Sequence, residues 1–127
     1  MASRLAVQTL AASKAITQNT TVYTDVCRFD KCAGDATVWV ASTAGSVTIT
    51  QQCSLNYNPN NPTAATWFDP VNSSGSAVGG VQATMTVTTG TYIFYTTVPA
   101  PYIRFKVVEN NTAATVLDLK FILREEN

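Results

Sequence analysis

Histidine is absent from this chain, and that absence restricts what its other side chains could do chemically. Histidine is the commonest general base near neutral pH. Without it, neither a Ser-His nor a Cys-His nucleophile pair can form. Three cysteines remain, Cys27, Cys32 and Cys53. They are odd in number and lack paired CxxC spacing, which makes a poor disulfide framework and a poor zinc set. Cys27 and Cys32 lie five residues apart, so a strand-to-turn bridge is geometrically conceivable. The other reading is buried or half-buried thiols acting as small apolar side chains.

The carboxylates Asp25, Asp30, Asp35, Asp69 and Asp118 are scattered along the chain. A glycosidase-like pair would require the fold to bring two of them together. Separated acids in a β-protein are more often surface or turn residues. Gly79-Gly80 is not followed by GK[ST], so no phosphate cradle is indicated. The expectation is a protein that is not an enzyme and holds no metal or cofactor. Binding residues are a separate matter. Trp67, in Thr66-Trp67-Phe68-Asp69-Pro70, could stack on a sugar or pack in a core or interface, as could Trp39. Core or interface packing is the favoured reading for both. Tyr57 sits in Asn56-Tyr57-Asn58-Pro59-Asn60-Asn61-Pro62, an expected exposed loop because two prolines remove ladder donors. Arg104 and Lys106 share one strand face, opposite Ile103, Phe105 and Val107. They would either pair with Asp118 on an adjacent strand or line a subunit interface.

The elements that must position these residues are strands. Apolar residues make up 46% of the 127 and charged residues 13%, about half the usual charged share. The net charge is zero, which gives no basic footprint for nucleic acid and favours association between chains. From Thr20 onward apolar and polar residues alternate, as in Val38/Val40, Val47/Ile49, Met85/Val87, Ile103/Phe105/Val107 and Leu117/Leu119/Phe121/Leu123. A period of two marks half-buried antiparallel strands. Turn residues such as Ala44-Gly45-Ser46, Thr89-Gly90-Thr91 and Glu109-Asn110-Asn111-Thr112 fall between the runs. Strands are predicted near 20–30, 36–42, 46–53, 64–69, 81–88, 91–97, 102–109 and 115–124. Eight such strands predict an all-β antiparallel sandwich or jelly roll over residues 20–127.

Residues 1–19 read as an N-terminal arm. Leu5 and Val7 alternate as in an extended segment, and the Ala-rich stretch 10–15, with Leu10, could hold a helical turn. Such an arm either docks on a neighbour or is a disordered or self-packed terminus. No apolar run approaches the roughly 20 residues a membrane helix needs, and the N-terminus lacks the clean apolar region of a secretory signal. The Asn-X-Ser/Thr triplets at Asn19, Asn72 and Asn110 therefore carry little weight.

Three features then point to a family. Val47-Thr48-Ile49-Thr50-Gln51-Gln52-Cys53-Ser54-Leu55 leads to Thr66-Trp67-Phe68-Asp69. A Gly/Ser/Val-rich stretch precedes Pro101-Tyr102-Ile103-Arg104-Phe105-Lys106-Val107-Val108-Glu109-Asn110 and a closing Leu117-Asp118-Leu119 strand. Over roughly residues 20–124 this resembles small β-sandwich virion proteins of tailed bacteriophages, among them capsid decoration (cement) proteins. The chain departs from that pattern at Cys53-Ser54-Leu55-Asn56, where a tight turn is expected and a longer Asn/Pro loop follows. The resemblance implies a capsid-exterior protein, made in the host cytoplasm, that binds the major capsid protein and itself, as a homotrimer. The rival expectation is a carbohydrate-binding module, or a tail or fibre component, using Trp67 or Tyr57.

Overall fold

The computed structural model describes residues 3–28, 35–68, 84–97 and 100–126. Nine strands account for most of them: β1 (Ser3–Ile16), β2 (Thr21–Tyr23), β3 (Cys27–Arg28), β4 (Asp35–Ser42), β5 (Val47–Ser54), β6 (Thr84–Val87), β7 (Gly90–Thr97), β8 (Tyr102–Glu109) and β9 (Thr115–Glu126). Every pairing among the described strands is antiparallel. The first sheet runs β1-β9-β4-β7, and the second runs β2-β8-β5-β6 with β3 continuing β2 along β8.

That order has a simple origin. The chain pairs end to end with itself, β1 with β9, β2 and β3 with β8, β4 with β7, and β5 with β6. Successive pairs of this long ribbon fall in alternate sheets, which are closed by β4 against β9 and β5 against β8. With β2 and β3 counted as one interrupted strand, this is an eight-stranded jelly roll.

The core lies between the sheets, where the alternation directs it. In β8, half-buried and buried residues alternate without a break, and Ile103, Phe105 and Val107 point inward. They meet Leu117, Leu119, Phe121 and Leu123 of β9 and Val38 and Val40 of β4. The Phe105 and Phe121 rings touch across the sheets, centroids 5.6 Å apart and planes tilted by 44°. Such offset aromatic contact adds to the area each ring buries. A polar pair also crosses this core. Thr96 Oγ1 of β7 donates to the buried Gln51 Oε1 of β5 at 2.7 Å.

Several sequence expectations change here. The N-terminal segment is neither a separate arm nor helical. Residues Ser3–Ile16 form β1, paired with β9 from Ser3–Glu126 to Ile16–Thr115, so the sandwich begins well before residue 20. Leu10 is buried in the core, whereas Val7 is exposed on the outer face; Leu5 pairs through its backbone with Arg124. Register shifts between Thr9 and Ala11 and between Ala11 and Lys14 break the two-residue period there, which is why the alternation fades. Ser13 takes a left-handed φ of 46° within that irregular stretch.

The predicted strand at 64–69 is also absent over its described residues. Pro62–Ala64 is a 3-10 turn, and only a single bridge, Phe68 to Cys53, joins the segment to β5. The predicted strand at 20–30 is interrupted between β2 and β3. There the Thr24 hydroxyl takes a ladder position, accepting from the Phe105 amide at 2.9 Å. Cys32, Asp30, Asp69 and Gly79-Gly80 lie outside the described residues.

Candidate functional site

Alternation turns every second residue of β8 toward solvent, which brings Tyr102, Arg104 and Lys106 to the outer face of the second sheet. β2 lies beside β8 and adds Tyr23, aligned with Lys106; β5 adds Gln52, aligned with Arg104. The Asn/Pro loop folds back over this face and delivers Tyr57 and Trp67. Its base is tied by Thr66 N donating to Asn56 Oδ1 at 2.9 Å, and by Phe68 exchanging two backbone hydrogen bonds with Cys53.

Arg104 sits at the centre. Its guanidinium lies 4.1 Å from the Tyr23 ring centroid and 4.2 Å from that of Trp67, and its Nε donates to Gln52 Oε1 at 2.9 Å. Tyr57 packs at a tilt against both Trp67, 5.8 Å between centroids, and Tyr102, 5.5 Å. Arg28 stands over Tyr102 at 5.9 Å. A cation held over aromatic faces is stabilised by the ring quadrupole, more so as water is excluded. Burial lowers the Arg104 pKa from its ordinary value, with the Coulombic influence of the neighbouring Tyr23 acting in the opposite sense. The result is a preorganised patch of four aromatic rings interleaved with arginine.

Of the residues singled out from sequence, Tyr57, Trp67 and Arg104 come together here, with Lys106 half-buried on the same face. Leu5, Val7 and Leu10 do not join them, since β1 belongs to the other sheet. Trp67 is half-buried on an outer face and is not part of the core. Trp39 likewise faces outward, on the first sheet, with Lys120 Nζ 5.2 Å from its ring centroid. Tyr57, expected as a free loop aromatic, is half-buried by its neighbours. The expected pairing of Arg104 or Lys106 with Asp118 fails because β8 and β9 lie in different sheets; Asp118 Oδ1 instead accepts from Ser13 N at 2.7 Å. Sequence reading missed Tyr23 and Tyr102. Both were legible only as outward positions of strands, and nothing local marks them as neighbours of Trp67.

The second polar centre is structural. Glu109 closes β8 at one end of the sandwich, fully buried. Its carboxylate accepts from Asn19 N at 3.0 Å, Ser46 N at 3.4 Å, Thr112 N at 3.0 Å and Ala113 N at 3.4 Å, and from Thr112 Oγ1 at 2.6 Å. The Thr112 hydroxyl first, then the Asn19, Thr112 and Ala113 amides, hold its pKa at about 2 against the opposing effect of burial. It ties three turns together. Gly45, in the β4–β5 turn, has φ +67°, and a Cβ there would meet Ala113 O at 2.6 Å.

Among the described residues no group of three or more His, Cys, Asp or Glu could hold a metal ion. Among the same residues no helix is long and apolar enough to cross a membrane. Cys27 and Cys53 are buried thiols on either side of Ile103, and burial pushes the Cys27 thiol up to about 12.

No family model matches the chain, and no curated protein matches it. Among solved structures it is similar to a pilus protein of Bacillus endospore appendages, with 16% identity, a TM-score of 0.37, and coverage of 98% of this chain and 84% of that one. It is also similar to the VP2 subviral particle of infectious bursal disease virus, with 9% identity, a TM-score of 0.46, and coverage of 98% of this chain but 33% of that one. A third is the K3 cleaved adhesin domain of Lys-gingipain from Porphyromonas gingivalis, with 14% identity, a TM-score of 0.46, and coverage of 94% and 73%.

Proposed function

We propose that this chain is a non-enzymatic structural protein of a virus particle, a decoration protein that docks on the outside of the capsid by binding the major capsid protein. The observation that carries the reading is the Tyr23–Arg104–Trp67–Tyr57–Tyr102 cluster on the outer face of the second sheet. Tyr, Trp and Arg are the residues that dominate binding energy at protein interfaces, and they do so best where neighbours hold them rigid. The uncharged balance of the chain and its jelly-roll frame, an architecture that capsid domains use, support the same reading. Glu109 is consumed by turns, and Asp118 Oδ1 by the β1 backbone, so neither carboxylate is held ready for catalysis.

The test is cosedimentation of the purified chain with capsids stripped of it. Saturable binding, weakened at least tenfold by Trp67→Ala or Arg104→Ala in chains that keep their β-sheet circular dichroism, is expected. Capsids that never retain the chain would refute the assignment. A carbohydrate module is less well supported, because the Arg104 guanidinium covers the Trp67 ring that a sugar would need. A glycan array positive for the chain and abolished by Trp67→Ala would reverse that ranking.

A further inference from the structure

Most sheet edges in this fold are blunted. β1 is broken by two register shifts, β2 and β3 are three and two residues long, and β6 has four. Short edges, bulges, charges and prolines are the usual means by which a sheet avoids pairing with another chain. β7 has none of them. It runs Gly-Thr-Tyr-Ile-Phe-Tyr-Thr-Thr over Gly90–Thr97, with no charge and no proline. It pairs with β4 through eight consecutive partners without a shift, and no other described strand pairs with it.

Its outward side chains are also the wrong kind for solvent. Ile93 is 61% exposed and Tyr95 74% exposed, adjacent on the outer face of the first sheet. The cross-strand partner of Ile93 is Trp39, itself outward, so the apolar surface continues inward from the edge.

We infer that β7 is an assembly edge that pairs antiparallel with β7 of a second copy of this chain, extending the first sheet across a two-fold axis. The sequence of the strand selects that occupant. A two-fold axis normal to the sheet keeps outer face beside outer face, so facing residues must have the same parity. Centring it on Phe94 sets Ile93 opposite Tyr95 of the second copy, and Tyr95 opposite its Ile93. The same register sets Thr91 opposite Thr97. Each copy thus supplies both halves of an Ile–Tyr pair, an aromatic with a β-branched residue. No charge opposes another anywhere along the edge. Backbone hydrogen bonds would supply affinity and the Ile–Tyr pairs would fix register, as in other strand-addition interfaces. This self-pairing uses the opposite sheet from the Arg104 cluster and does not depend on the capsid reading.

The full chain, run by size exclusion with light scattering over a concentration series, should reach twice its 13.6 kDa mass. Ile93→Lys and Tyr95→Lys should each halve that mass, since two lysines would meet apolar partners across the edge. Both positions are exposed, so the fold is kept, and thermal unfolding of the isolated variants checks this. Leu55→Lys, at a 71% exposed position on the loop after β5, is the control and should change nothing. Register is read separately. Mixed Ile93→Cys and Tyr95→Cys chains should cross-link to each other several-fold faster than either does to itself. A monomer at every concentration, an oligomer of another size, or a dimer that survives both lysines would overturn the inference.

Discussion

The Thr112 hydroxyl donates to Glu109 Oε2 at 2.6 Å, the shortest bond in a set that joins the β1–β2, β4–β5 and β8–β9 turns through one buried carboxylate. A charge in that position is stable because every donor around it is already aimed inward, so ionisation requires no reorganisation. The cluster on the second sheet is built differently. Its cation is matched by ring faces and a side-chain amide, which leaves it partly open to a partner.

The Glu109 arrangement predicts an acid-sensitive fold. The folded carboxyl has a pKa of about 2 against an ordinary 4.5, so the group contributes stability above pH 4.5 and loses it as pH falls toward 2. Denaturation midpoints measured across that window should fall steadily. Glu109→Gln should lower the midpoint at neutral pH and flatten the slope between those values. An unchanged slope in the variant would mean that another group carries the acid sensitivity.

Arg104 holds Tyr23 and Trp67 together by its flat guanidinium as well as its charge. Arg104→Lys keeps the charge and loses the planar fork, so it should cost about 0.5–2 kcal/mol of stability and shift Trp67 fluorescence to the red. Urea unfolding followed by Trp emission reads both quantities. Emission identical to the parent chain would show that the indole is held by Tyr57 alone.

Thr96→Val removes the hydroxyl that Gln51 Oε1 accepts from in the core, at almost constant volume. Leaving a buried carbonyl short of a donor costs about 1–3 kcal/mol, so the urea midpoint should drop without a change in slope.

Cys27 should resist alkylation in the folded chain, because its thiol is buried and its pKa is pushed up to about 12, leaving little thiolate at neutral pH. Mass spectrometry after brief iodoacetamide treatment should find Cys27 and the equally buried Cys53 unmodified, and both labelled in denaturant. Rapid labelling of Cys27 under native conditions would contradict the packing of β3 against β8.

Much of the architecture is written locally. Ile103, Phe105 and Val107 point inward because a strand's side chains alternate, whatever it pairs with, and that period is visible over three consecutive core positions. The turns at Gly45 and Asn111 follow from residues that tolerate a positive φ. The all-β class and the inward residues of β4, β5, β8 and β9 were therefore open to reading. Partners were not. β1 lies beside β9 from Ser3–Glu126 to Ile16–Thr115, nearly the whole chain apart, and a strand's pattern does not say which strand will complete its ladder. The bulges that let β1 bend also erased its period, so it read as an arm. Tyr23, Trp67 and Arg104 meet for the same reason. They come from β2, a loop and β8, and only the pairing of distant strands, with the loop laid over them, puts a guanidinium between two rings.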